Sequence, residues 1–333
     1  MKQIKSETSN LSRLEWVDYA RAIAIILIII GHANAPTEIT KFLYSFHVQA
    51  FFVISGFFFN CDMSFGTFVK KKVIRLVIPY FIAQIGLNIV AHLVFGANIP
   101  LHDIFHEVIY SGGVGGHWFV TPLWFLIALF FGQILAFVFF HATNRRSNTF
   151  RMLIALCIVM IYFVCYKSNS IIYIRLPFML DLLPVILLFI VFGKVYFDTI
   201  TKITITPVLL LIVVVLTVTS ITCSEPVNTA IRLFGNPINY MSSSFGGSIC
   251  IFFIARLFES QSLHVLQYIG KHSFLFCIMH PVGFALAGSL YNIFFPSIYN
   301  SSLIWIANAL ISLAFCLLIS LIWDHSKAIV SKL

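Results

Sequence analysis

The chain has 333 residues, 60% of them hydrophobic and only 10% charged, where a soluble domain carries about 25% charged residues, so a water-soluble globule is excluded and a membrane protein is left. The net charge of +9 does not point to nucleic acid, because the basic residues sit in short segments between apolar runs, where Lys and Arg mark the cytoplasmic side of a bilayer. Seven cysteines form no CxxC pair and lie mostly inside apolar runs, so neither a disulfide framework nor a metal site is expected.

A membrane-spanning helix needs about 20 mainly apolar residues. Such windows fall at 17–35, 42–60, 76–96, 119–141, 152–166, 178–196, 203–222, 238–256, 273–295 and 303–323. The prediction is one all-α, polytopic integral membrane domain over 1–333 with about ten transmembrane helices and a short cytoplasmic tail at 1–13. Basic residues ahead of the first run and "ANA" at 33–35 imitate a signal peptide. The lead also carries Glu7, Glu15 and Asp18, however, so the run is read as an uncleaved first helix. With the N-terminus inside, 17 of the 21 Lys and Arg are cytoplasmic and only Lys41, Lys167, Arg175 and Arg232 fall outside. That asymmetry is what the positive-inside rule requires of a chain with both termini in the cytoplasm.

Ionisable groups within a bilayer are costly and need a partner, a cavity or a task. The first helix offers "RAIAIILIIIGH", in which Arg21 and His32 are eleven positions apart, roughly 16 Å and about three turns of helix. Both therefore project from nearly one face, a cation at the cytoplasmic mouth and an imidazole deeper in the membrane. Asp18 either orients Arg21 or serves the helix dipole. In the second helix, "SFHVQAFFVISGFFF", the short turn at 36–41 brings His47 towards the layer of His32 and makes it a second catalytic candidate. Ser55 and Gly56 allow either tight helix packing or room for a ligand. Between the second and the third comes "FVKKKVIRLVIPYF": its cluster is a cytoplasmic anchor or, with Lys72 and Arg75 at i and i+3, a pair that holds a phosphate.

Further along, His92 reads as a packing residue. The outer segment "ANIPLHDIFHEVIYSGGVGGHW" has no Lys or Arg and is either a mobile connector or a lid. Trp118 and Trp124 flank the fourth helix, expected as interfacial anchors with stacking on a sugar as the alternative. Asp181 is a further intramembrane acid, and His280 in "IMHP" stands where Pro281 interrupts the ninth window.

Taken together, "RLEWVDYARAIAIILIIIGH", "FHVQAFFVISGFF", "FVKKKVIRLVIPYF", "PLWFLIALF" and "YIGKHSFLFCIMH" resemble the acyltransferase family 3 membrane proteins, with the motifs in the family's order. The "PLWFLIALF" run is similar to the fucose 4-O-acetylase-related branch, which points to a sugar hydroxyl. The resemblance implies an O-acyltransferase of a bacterial inner membrane. Its donor would be acetyl-CoA or another acyl-CoA, with no metal, and its acceptor a carbohydrate, lipid-linked or free, such as an O-antigen or exopolysaccharide. It places the catalytic histidine on His32 and donor handling on Arg21, Lys72 and Arg75, with Lys72 departing from the family's arginine. His280 and Trp124 would support the cavity. The imidazole serves either as a base towards the acceptor hydroxyl or as the carrier of an acyl-histidine. A proton-coupled exporter of a sugar or acyl metabolite is the competing class.

Overall fold

The computed structural model of the protein describes residues 14–110, 119–167, 175–294 and 303–330. Within them the chain folds as α1 (Glu15–His32), α2 (Thr37–Tyr44), α3 (His47–Phe57), α4 (Phe65–Lys72), α5 (Ile78–Phe95), α6 (Leu101–Tyr110), α7 (Trp124–Ala142), α8 (Asn148–Lys167), α9 (Leu183–Lys202), α10 (Pro207–Thr222), α11 (Pro237–Leu257), α12 (His264–Lys271), α13 (Ser273–Phe294) and α14 (Ile304–Val330). No β-strand occurs among the described residues. The protein is an all-α polytopic membrane protein.

Seven stretches of the described residues are long and apolar enough to cross a membrane: Phe65–Phe95, Thr121–Ala142, Asn148–Tyr166, Pro177–Lys202, Pro237–Leu257, Ser273–Phe294 and Ile304–Ile329. The remaining three predicted windows differ for local reasons. α1 has the length but carries Glu15, Asp18 and Arg21; window 42–60 is divided between α2 and α3 at Ser45 and Phe46; window 203–222 yields a helix of 16 residues. That last helix starts sharply because the Thr206 hydroxyl accepts from Leu209 N–H with Pro207 at the first helical position, both favourable at a helix start.

α1 is the axis of the site. Eleven of its 18 residues are buried, against α2, α3, α11, α12, α13 and α14. α3 crosses α9 where Gly56 meets Gly193: a methyl on Gly56 would strike the carbonyl of Ile190, and one on Gly193 the carbonyl of Val53. Tight packing, rather than room for a ligand, is what Gly56 provides, as small residues do where membrane helices approach backbone to backbone.

Two expectations for the outer segments are refined. Part of the lysine- and arginine-free stretch is the helix α6, pinned by the Tyr80 hydroxyl donating to Val108 O at 2.7 Å; "SGGVGG" and Trp118 lie outside the described residues. Asp181 has a partner in Arg232, whose Nε donates to Oδ2 at 2.6 Å and Nη2 to Oδ1 at 2.7 Å, both side chains buried. A bidentate pair of this kind makes the burial of both charges tolerable. Arg232 therefore presents no uncompensated positive charge on that side of the molecule.

Candidate active site

His32 ends α1. The chain then reverses through Asn34, whose φ of 62° is one that asparagine adopts more readily than most residues, and Pro36 precedes α2. This reversal sets the Tyr44 hydroxyl 3.1 Å from His32 Nδ1. It also puts the His47 ring 4.9 Å from the Tyr44 ring and 6.5 Å from that of His32, between centroids. From the far end of the sequence, α13 brings His280 to stack on His32 with centroids 5.5 Å apart and planes at 30°. Three imidazoles and a phenol thus share one layer.

Their hydrogen bonds separate the three rings. His47 Nδ1 donates to Leu43 O, and His280 Nδ1 donates to Phe276 O at 3.1 Å. A carbonyl only accepts, so in each neutral ring Nδ1 carries the hydrogen and Nε2 is a bare lone pair. Both Nε2 atoms are buried without a hydrogen-bond partner among the described residues. His47 is 1% exposed and His280 0%, whereas His32 is only partly buried.

The space beside His32 is a pair of cavities on either side of it along α1. One, of about 210 Å³, runs from Arg21 past Ile25 and Ile28 to His32, with Phe51, Ile54 and Leu129 on its opposite wall. Arg21 and His32 do share a face, as their spacing requires. The other, of about 840 Å³, extends from His32 and His280 to Asn34, Asn292 and Asn308. The first is almost wholly apolar between its ends; the second is lined by amides, hydroxyls and aromatic rings. His32 and Pro122 belong to both walls.

The other candidates divide between these cavities and the rest of the molecule. Arg21 Nη1 donates to Asp18 Oδ1 at 3.2 Å and its guanidinium lies 5.3 Å from the centre of the Phe58 ring. Ser55 lines the narrow cavity while its hydroxyl donates to Phe52 O at 2.7 Å. Trp124, expected as an interfacial anchor, lines the narrow cavity at 6% exposure, at the start of α7 directly after the short helical turn Thr121–Leu123. His47 lines neither cavity, and neither do Lys72 and Arg75. The α-helical spacing assumed for the latter pair is interrupted, since Val73–Val77 is π-helical and its i→i+5 turn is wider than an α-turn. His92 is exposed at the end of α5, 3.0 Å from Ala97 O through Nδ1. Among the described residues, no group of His, Cys, Asp and Glu is arranged to hold a metal ion.

Sequence reasoning missed Tyr44 and the amides of Asn34, Asn292 and Asn308. Tyr44 had a faint signal, as the one phenol within the reversal that follows His32.

A family model described as an acyltransferase domain matches residues 14–322 of the chain. No curated protein and no solved structure matches it.

Proposed function

The chain belongs to acyltransferase family 3 and is an integral membrane acyltransferase; on that premise we propose that it is an O-acetyltransferase drawing on cytoplasmic acetyl-CoA, or a related acyl-CoA, to acylate a hydroxyl of a cell-surface carbohydrate. The observation that carries this reading is the sharing of one imidazole, His32, by a narrow cavity that ends at a cation and a wide one lined by neutral polar groups. Two substrates of unlike chemistry then reach the same ring from opposite sides.

In this reading Arg21 receives the anionic end of the donor, held in place by Asp18. The thioester arm lies along the apolar channel, and Lys72 and Arg75 touch only the part of the donor that stays at the mouth. The distribution of Lys and Arg supports cytoplasmic termini, and in that orientation the carbohydrate would meet the wide cavity from the outer face. A bacterial inner membrane, and an O-antigen or exopolysaccharide as the polymer, belong to the same proposal.

With the His32 Nδ1–H donated to the Tyr44 oxygen, Nε2 is the base. It takes the proton of the acceptor hydroxyl as that oxygen bonds to the thioester carbonyl carbon. The carbon–sulfur bond breaks, and the departing thiolate recovers the proton from the imidazolium. The apolar channel excludes water, which suppresses hydrolysis of the thioester.

His32→Ala, expressed at the wild-type level in membranes, is expected to lose acyl transfer by at least ~10²-fold, the usual contribution of a general base. The measurement is transfer of radiolabelled acetyl groups from acetyl-CoA to surface glycan. Full transfer by that variant overturns the mechanism. Arg21→Ala is expected to raise the KM for acetyl-CoA more than it lowers kcat.

A further inference from the structure

The wide cavity has a chemical character that its neighbour lacks. Although it is the larger recess of the two, at about 840 Å³, no Lys, Arg, Asp or Glu among the described residues stands on its wall. The sequence explains why: no charged residue occurs between Lys271 and Asp324, the stretch that supplies α13 and most of α14. Asn292, on α13, and Asn308, on α14, come from that stretch, and Asn34 from the turn after α1.

Two residues that line this cavity each carry a buried polar atom with no hydrogen-bond partner among the described residues. One is Nε2 of His280, in a ring 0% exposed; the other is the hydroxyl of Tyr291, in a side chain 7% exposed. Buried polar groups are nearly always satisfied, and those that are not call for a ligand or water to complete them. Nε2 of His280, being a bare lone pair, accepts from a hydroxyl; the Tyr291 hydroxyl donates or accepts. The amides do both, and Phe95, Phe119 and Phe284 add apolar ring surface. Hydroxyls in several directions around an apolar ring face are the features such a lining satisfies. A carboxylate or phosphate brought into it would lose water and meet no countercharge, which is costly in a low-dielectric recess.

We propose that the wide cavity takes an uncharged sugar and discriminates against acidic ones, with His280 Nε2 and the Tyr291 hydroxyl completing their hydrogen bonds on hydroxyls of the acceptor. This rests on the acyltransferase reading above and adds the charge class of the substrate. His32 takes the proton of the hydroxyl that is acylated, while His280, stacked beside it, accepts from a second hydroxyl of the same ring.

The test uses the full chain in detergent or nanodiscs with acetyl-CoA. The acceptors are octyl glycosides of glucose, galactose and fucose, set beside octyl glucuronide and octyl galacturonide. Transfer to at least one neutral glycoside with kcat/KM ten-fold or more above either uronide is the expected result. Uronides accepted as well as, or better than, the neutral glycosides overturn the proposal, while His32-dependent transfer to them leaves the acyltransferase reading intact. Transfer to none of the neutral glycosides also overturns it. In that case thermal stabilisation of the chain by acetyl-CoA leaves the enzyme reading standing, and absence of stabilisation overturns both. Tyr291→Phe keeps the shape of the ring and is expected to raise the KM for the accepted glycoside roughly five-fold, about one neutral hydrogen bond. The KM for acetyl-CoA should not move. A change confined to the donor KM overturns the placement of Tyr291.

Discussion

Of the three histidines gathered at the end of α1, only His32 belongs to the walls of both cavities, and one contact of each ring decides its state. His47 and His280 have their tautomers fixed by carbonyls, Leu43 O and Phe276 O. His32 meets a hydroxyl, Tyr44, which either donates to Nδ1 or accepts from it. When it accepts, Nε2 is left as the basic atom, and the phenol oxygen supports the positive charge that develops on the ring. Tyr44→Phe removes that support without changing the packing of the ring. A hydrogen bond to a group that becomes charged is worth about 1.5–3 kcal/mol, so kcat should fall roughly 10- to 100-fold with the KM for acetyl-CoA unchanged. Steady-state kinetics on purified protein check this, and an unaltered kcat removes Tyr44 from the mechanism. How legible these residues were follows the range of the forces that place them. Arg21 and His32 are read from sequence because a helix converts spacing directly into a shared face. His280 reaches His32 only through the packing of α13 on α1, which no local pattern encodes, and the burial of Trp124 in the wall of the narrow cavity is likewise a matter of tertiary packing.

At the scale of elements, the site depends on α3 being held where α2 and α3 can close over His32, and the α3–α9 crossing is one of the contacts that hold it. Gly193→Ala sets a methyl against the Val53 carbonyl, an overpacking that costs typically about 1–3 kcal/mol. Gly86→Ala in α5, where a methyl meets nothing within 4 Å, is the matching control and gains helix propensity instead. Thermal unfolding in one detergent should show the first variant destabilised and the second unchanged or slightly improved; equal melting points dismiss the crossing as a constraint. The same scale explains what happened to Lys72 and Arg75. Their i,i+3 relation is visible in sequence, but the π-turn that follows Lys72 depends on how α4 and α5 join over α7, and hydropathy carries no trace of it.

For the molecule as a whole, composition alone fixes the membrane class, since 60% hydrophobic and 10% charged residues admit few other solutions. Seven of the ten predicted windows coincide with long apolar helices. The other three carry charges, a break or a short span, and charges and a break are what the site needs: α1 holds Asp18 and Arg21, and the α2–α3 break presents Tyr44 and His47 to His32. Where a window departs from a plain span, two of the three cases supply residues to the proposed site. The common wall at His32 also bears on the energetics of the cell. On the proposed reading, an enzyme that hands an acyl group across an energised bilayer must not short-circuit the proton gradient, and here His32 and Pro122 are the residues that the two recesses have in common. His32→Gly in sealed proteoliposomes should dissipate an imposed pH gradient several-fold faster than the wild type, followed by an entrapped pH-sensitive dye, and added imidazole should slow the leak by refilling the gap. If the two proteins hold the gradient equally well, insulation is provided elsewhere; if they do not, the residue proposed as the base is also the seal that keeps the membrane charged.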